Sequence, residues 1–415
     1  MELYIYSPEI ELQGVVDGFS SFRWRRRFFE PGEFELHCAA TPNNRALLAG
    51  ENIIHRLDRS EAGIIESVKI DAPDGGTGDE IVAAGRMGSS MLDRRIIMPA
   101  INYTGAAESA MRKIVSDNAI SIRPLPHLAL GAAAGLTPAC AFQVEWKTVL
   151  TVCEALGKAA PLGFRVRLDV PNKLWVFEAY GGTDHSVTQA VNPIVLFSDE
   201  FQNISGAAYT LDHTGYSNYA IVGGEGGGAD RVITEVDRTG GEPRRELWVD
   251  ANDLKSSADT EDCFTGDGSA AAFALSHTPS NVGSVTVGST SASDYALDGS
   301  MITFPTALAS GAAVAVSYSY CLTPGEYAAL LTQRGVEKLA GAVKAESFSA
   351  DAVDTGNFAY LTDWDLGDIV SFEKWGILLN QRITEVEEVY ENGVETITPV
   401  CGTPLPETLN LGDDR

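Results

Sequence analysis

Residues 364–400, WDLGDIVSFEKWGILLNQRITEVEEVYENGVETITPV, carry the strongest folding signal in the chain. Leu366-Gly367-Asp368 leads into the β-prone run Ile369 to Phe372, and Asn392-Gly393 separates two further extended runs. Asn-Gly between such runs specifies a two-residue type I′ hairpin, because both central residues must take positive φ and these two do so at low steric cost. Antiparallel strands are therefore expected. Residues 63–97, GIIESVKIDAPDGGTGDEIVAAGRMGSSMLDRRII, repeat the outline of paired strands, Gly-rich turn and late arginine. The chain reads as two β modules with other material between and inside them.

Upstream of this stretch, Thr323-Pro324-Gly325-Glu326 forms a helix start, with Thr as N-cap, Pro at the first helical position and Glu closing a capping box. Leu330, Leu331, Val336 and Leu339 supply the apolar positions of a helical connector over 323–344. Before it the composition changes abruptly: Phe264 to Tyr320 contain no Lys, Arg or Glu and three Asp. Alternating runs at 272–276, 282–287, 301–304 and 312–320, punctuated by Gly266-Asp267-Gly268 and Asp298-Gly299, predict a small β-sandwich over 258–322. A sandwich whose ends lie together can be inserted without breaking its host. Cys263 and Cys321 flank this insert and could approach each other, although a reducing cytoplasm disfavours a disulfide.

At the other end of the chain, residues 2–6 and 19–38 (FSSFRWRRRFFEPGEFELHC) predict strands, the latter pair broken at Pro31-Gly32. Phe22, Trp24 and Phe28 share one face by period-two alternation and Arg23, Arg25 and Arg27 the other. These arginines suit either a nucleic-acid patch or ion pairing on the polar face of a barrel strand. The second reading takes precedence, because the aromatics alternate as a core face does and the surroundings are acidic. Runs at 53–58, 63–70 and 80–85, with a short helix from Ser89 to Arg95, complete a β-barrel module over 1–100. Thr104 is the expected N-cap of a helix through Ala107, Met111, Ile114 and Val115, and a second helix is expected at 148–159. A hairpin turning at Pro171-Asn172 joins strands at 163–168 and 173–179, giving an α+β domain over 101–199. Strands return over 200–257 and resume over 345–405, which together predict a second, discontinuous barrel. Residues 406–415 form a tail without periodicity. The fold class is thus α+β, mainly β.

The chain has 415 residues, 44% of them hydrophobic and 21% charged, as a globular protein of several domains does. Thirty basic against 57 acidic residues give a formal charge of −27, which repels phosphate backbones and disfavours specific DNA or RNA binding. No signal-peptide core and no run of 18 apolar residues occurs, so a soluble protein made in the cytoplasm, without membrane insertion, is expected. The six cysteines show neither CxxC nor metal-like pairing with the six histidines.

Gly224-Glu225-Gly226-Gly227-Gly228-Ala229 fits a dinucleotide fingerprint, but DRVITEVDRTGGEP after it alternates like a strand where the pyrophosphate needs a helix N-terminus; a hairpin loop is expected. Asp184-His185 and Asp212-His213 could ligate a metal only if the fold joined them. His55-Arg56-Leu57-Asp58 recurs in catalytic loops but here lacks every companion motif. No catalytic, cofactor-binding or metal-ligating residue is assigned, and no enzyme activity or cofactor is expected.

SFRWRRRFFEPGEFEL (21–36), GIIESVKI (63–70), GRMGSSMLDRRIIMP (85–99), LGDIVSF (366–372) and QRITEVEEVYENGVETITPVCG (381–402) together resemble the tail-tip or baseplate hub (minor tail) proteins of long-tailed bacteriophages and prophages. The insert, with FTGDGS (264–269), DYALDGSMITFPTALASG (294–311) and VSYSY (316–320), resembles small β-sandwich modules of phage tail proteins. The resemblance implies two hub barrels per chain and a homotrimeric ring that closes the tail tube and opens for DNA. Implied partners are the distal tail protein and tail tube, the tape-measure protein, and a central fibre or receptor-binding proteins, with phage DNA only in transit. The implied location is the virion tail tip. Larger members carry a C-terminal enzymatic or fibre extension, and this chain stops soon after the second barrel, so built-in cell-wall hydrolysis is not expected. Two other readings remain: a host-surface glycan-binding module acting through the insert, which exposed insert aromatics would favour, and a cell-wall hydrolase, for which no site can be assembled.

Overall fold

The computed structural model describes residues 1–71, 78–98, 100–352, 358–391 and 393–402. Its N-terminal strands are β1 (Leu3–Tyr6), β2 (Leu12–Val16), β3 (Phe19–Arg27), β4 (Glu33–Ala39), β5 (Ile53–His55), β6 (Ala62–Asp71) and β7 (Glu80–Met87), with helix α1 (Pro42–Leu47) opened by Thr41 as N-cap. That Thr-Pro start went unread in the sequence. Alternation along β3 places Phe22 and Trp24 in a core with Leu3, Ile5, Phe34 and Leu36.

The middle region holds β8 (Ile101–Ala106), α2 (Ala107–Val115), β9 (Leu128–Leu130), β10 (Ala139–Val144), α3 (Val149–Ala159), β11 (Gly163–Asp169) and β12 (Leu174–Tyr180). The hydroxyl of Thr148 accepts from the Thr151 amide at the start of α3, which buries Val149, Val152, Cys153 and Leu156. Thr104 does not cap α2. It lies inside β8 opposite Ala141, so its backbone is used by the ladder, and the helix begins after Ala106 without a side-chain cap. The Ser89–Arg95 helix is a 3-10 helix over Gly88–Arg94.

Next come β13 (Leu196–Ser198), β14 (Ile204–Asp212), β15 (Tyr219–Gly223), β16 (Ile233–Asp237) and β17 (Glu246–Asp250). The following segment contains β18 (Ser257–Thr265), β19 (Ala272–Ala274), β20 (Pro279–Val287), β21 (Thr290–Ser291), β22 (Ala296–Asp298), β23 (Met301–Thr303) and β24 (Ala313–Cys321). Helix α4 (Pro324–Gly341) leads to β25 (Ala345–Ala352), β26 (Ile369–Lys374), β27 (Ile377–Glu391) and β28 (Val394–Gly402). Both hydrogen bonds of the Thr323–Glu326 capping box are present.

Thirteen strands join in one sheet whose main path runs β14-β25-β28-β27-β3-β4-β7-β6-β5-β1-β2, with β13 and β26 attached beside β27. The chain is mainly β, but the path is open, and no closed barrel is present among the described residues. The physical reason is the pairing of β3 with β27, antiparallel from Arg27–Glu385 to Ser21–Glu391. Each half uses this strand to join the other half. The same face of β3 serves both cores: Trp24 packs in the first, while Phe28, just beyond the strand, packs with Phe197, Trp364 and Phe372 in the second.

Within residues 364–400, Glu391 pairs with Val394 across a two-residue connection. Gly393 has φ of 80°; Asn392, the other expected turn residue, lies outside the described residues, as do 72–77 of the earlier Gly-rich turn and the tail from 403. A second two-residue turn joins Lys374 to Ile377 through Trp375 (φ 54°) and Gly376 (φ 73°), the positive-φ pattern of type I′ with a bulky residue in first place.

Strands β16-β15-β17 form a separate sheet covered by α4, with Val222, Val236, Val249, Tyr327 and Leu331 between them. Gly335 permits that approach, since a Cβ there would lie 2.6 Å from Val236. The inserted strands form two small sheets, β18-β24-β20-β21 and β19-β23-β22, around Val285, Ile302, Phe304, Val316 and Tyr318. Ser257 pairs with Cys321, which brings the ends of the insert together. Cys263 instead pairs with Ala315, six residues along the strand from Cys321, a separation of roughly 20 Å. The two thiols are exposed, free and too far apart for a disulfide.

Candidate functional site

The most concentrated chemistry lies where the two halves of the large sheet meet. Arg26, only 2% exposed, falls on the buried face of β3 between Trp24 and Phe28. A buried guanidinium requires carboxylates at hydrogen-bonding distance. Arg26 donates to Glu61 at 2.6 Å, to Asp365 at 2.6 Å and to the Tyr360 hydroxyl at 2.8 Å. Burial alone would weaken its hold on the proton, but Glu61, Tyr360 and Asp365 outweigh that and push its pKa well above the usual value. Tyr360 in turn donates to Glu388 at 3.1 Å.

Glu388, 1% exposed, accepts from Arg56 at 2.8 Å and from Arg59 at 3.0 Å. Arg56 also grips Asp58 at 2.9 Å, and although burial acts against its ionisation, the arginines hold the Asp58 carboxyl below its ordinary range. Seven charged groups and a phenol, some from residues more than 300 apart, thus form one chain of contacts. The void beside Arg26 and Glu61 is about 10 Å³, room for a single water and no substrate. With its charges paired to one another, this network can hold the two halves in register.

On the opposite face of β3 the arginines of the proposed basic patch are also paired. Arg25 donates to Glu33 at 2.8 Å and Glu387 at 2.7 Å, Arg27 to Glu385 at 3.0 Å, and Arg23 lies 3.3 Å from Glu387. The patch is neutralised by the strand beside it.

The remaining sequence candidates are dispersed. Gly224–Ala229 lie in the β15–β16 hairpin, where a 3-10 turn of three residues, Gly228–Asp230, stands in place of the helix a dinucleotide needs. His185 contacts the Pro193 carbonyl at 2.7 Å, whereas Asp212 accepts from Thr214. No group of three or more His, Cys, Asp or Glu among the described residues could share a metal ion. Phe304, Tyr318 and Tyr320 are buried in the insert core, and Phe264, Phe273 and Tyr295 pack against it. No helix among the described residues is long and apolar enough to cross a membrane.

Sequence reading missed Arg26, Arg56 and Glu388, though one signal was available. Counting in twos through Phe22, Trp24 and Phe28 lands on Arg26, and through Val386 and Tyr390 on Glu388. A charge on an apolar face calls for a buried counter-charge.

The fold has known counterparts. The 43 kDa tail protein of prophage MuSo2 from Shewanella oneidensis superposes with a TM-score of 0.54 at 9% identity, covering 97% of this chain and 99% of its own. The tail protein from Neisseria meningitidis gives 0.53 at 12% identity, covering 97% of each chain. The prophage tail protein gp18 from Listeria monocytogenes gives 0.51 at 11% identity, covering 99% of this chain and 96% of its own. No curated protein matches the sequence. Residues 2–403 match the family described as siphovirus ReqiPepy6 Gp37-like protein. With the fold of phage tail proteins and a family match over nearly its whole length, the chain belongs to the siphovirus ReqiPepy6 Gp37-like protein family.

Proposed function

We propose that this tail protein is the hub of the tail tip or baseplate, three copies of which form a ring that closes the tube, seats fibre or receptor-binding proteins and lets DNA pass on infection. The observation that carries the reading is the open sheet. Strands β2 and β14 end it, each with one edge unpaired among the described residues. Free edges pair readily with another chain, and head-to-tail pairing closes into a ring when the rotation permits. The two β halves, residues 1–100 and the strands within 200–257 and 345–405, would then repeat around the ring, and the distal tail protein and tape measure would meet its faces.

A formal charge of −27, with Arg23, Arg25 and Arg27 already paired, gives passing DNA few cations to adhere to. No enzymatic step belongs to this role. Native mass measurement and particle imaging of the purified chain, alone and with its tail partners, test it: a trimer or threefold ring is expected. A chain that stays monomeric at high concentration and forms no threefold particle with those partners would sink the proposal.

A further inference from the structure

Strand β17 forms one edge of the sheet β16-β15-β17, and no described strand or bridge pairs with its outer side. The ladder to β15 ends with Tyr219 donating to the Arg245 carbonyl at 3.1 Å and Ala251 donating to the Gly223 carbonyl at 2.7 Å. Alternate residues of a strand turn their backbone groups to the same neighbour, so Arg245, Leu247, Val249 and Ala251 serve β15. The N–H and C=O groups of Glu246, Trp248 and Asp250 therefore point away from the sheet, without a hydrogen-bond partner among the described residues. Leu247, Trp248, Val249 and Asp250 all line a cavity of about 1440 Å³. They come two from each face of the sheet, so the strand borders this cavity with its edge. The volume exceeds the roughly 300–1,000 Å³ of a site for one small molecule.

The side chains beside that edge differ by face. Val249 and Leu247 pack towards α4, and Val152, Leu156, Leu254 and Leu330 continue the apolar part of the cavity lining. On the opposite face Trp248, 54% exposed, stands between Glu246 and Asp250. Arg244 pairs with Glu246 at 2.7 Å and Arg231 pairs with Asp250, yet both carboxylates stay more than half exposed. Both guanidinium groups lie on the β15 side: Arg244 is 3.5 Å from the Tyr219 ring centroid, and Arg231 donates to the Gly223 carbonyl at 3.0 Å.

Charge commonly protects an edge strand from pairing, and here it excludes a second copy. Twofold pairing about Trp248 would set Glu246 against Asp250, and the other edge of this sheet, β16, carries Glu235 and Asp237 on the same face. The same carboxylates attract a cationic strand, and protection by charge does not require the exposed indole between them.

We infer that β17 receives, as an added strand, an extended segment of a different protein in which lysines or arginines flank an apolar residue at alternate positions. Its backbone completes the ladder with Glu246, Trp248 and Asp250, and its central side chain covers the Trp248 indole. Its cations meet the two carboxylates, and its intervening side chains enter the apolar lining beside Leu247 and Val249. This edge lies outside the thirteen-stranded sheet, so its partner is additional to the ring.

The test uses the full chain and dye-labelled Ser-Lys-Val-Tyr-Val-Lys-Ser, read by fluorescence anisotropy, with the Glu-for-Lys peptide as its counterpart. The Lys peptide should bind, and the Glu peptide roughly tenfold more weakly. Trp248→Ala should weaken the Lys peptide roughly tenfold, and Glu246→Lys should narrow its advantage roughly threefold. Trp248→Pro, which removes an outward N–H and leaves the hydrogen bonds to β15 in place, should abolish binding. Two N-methylated Lys peptides, one modified at both lysines and the tyrosine, the other at both valines, present opposite edges. One should bind and the other should not. Melting temperatures of the variants verify folding. Absence of binding by the Lys peptide, equal binding of the Glu peptide, binding that survives Trp248→Pro, or any other N-methyl pattern overturns the inference. Loss of ring assembly in Trp248→Pro without peptide also overturns it and assigns the edge to a second copy. Peptide binding is read on the isolated chain, so its failure is distinct from failure to form rings.

Discussion

The seam between β3 and β27 and the insert from Ser257 to Cys321 solve the same problem, burying strands, in opposite ways. At the seam, polar groups are driven into the interior and matched: Arg26 with Glu61 and Asp365, Arg56 and Arg59 with Glu388. In the insert the interior is apolar, Val285, Ile302, Phe304 and Val316, from one short segment. A network whose partners lie hundreds of residues apart fixes the mutual position of two halves, since only one register satisfies it. A local apolar core fixes its own shape and says little about its host. Specificity of assembly is thus concentrated at the seam.

The comparison can be broken first at Glu388. Glu388→Ala strands Arg56 and Arg59 without their shared carboxylate, and a loss of about 3–5 kcal/mol in urea unfolding is expected. A loss below about 1 kcal/mol would show that the seam is not a staple. In the insert, Ile302→Ala should cost roughly 2–5 kcal/mol. Amide exchange should then quicken within 257–321 while β3 and β27 keep their protection; equal loss in both would mean that the insert is not independent.

A half-buried carboxylate without a cationic staple sharpens the contrast. Burial, with Glu30 nearby, pushes the Glu154 carboxyl up to about 7. A folded pKa above the unfolded one means that the folded state holds the proton more tightly. Its stabilising contribution is complete below the unfolded pKa of about 4.5 and is lost as pH rises through 7. Glu154→Gln should therefore match the wild type near pH 4 and exceed it above pH 7, by up to about 3 kcal/mol, in denaturation curves across that range. A pH-independent difference would contradict the assignment. The smallest effect is expected on the outer face of β3, where Arg23→Ala removes a half-exposed pair and should cost less than about 1 kcal/mol and soften further in high salt.

Much of the local structure was legible because it is written in short-range patterns. Thr323-Pro324-Gly325-Glu326 contains its own cap, the alternation Phe22, Trp24, Phe28 its own inward face, and the sudden loss of charge after Cys263 marks the insert. Thr104 misled because capping potential is local while the pairing of β8 with β10 is not. Arg56 and Asp58 in the passed-over HRLD stretch gain their role only from Glu388, far along the chain.

The sequence by itself determined strands, turns, the capped helix and the acidic balance, since these follow from periodicity, backbone preference and composition. Only the tertiary structure decided that β3 and β27 lie side by side in one open sheet and that the arginine patch is neutralised. The reason is one of range. Hydrophobic period and turn chemistry act over a few residues, whereas a counter-charge or a pairing strand comes from whichever distant segment the packed chain brings alongside.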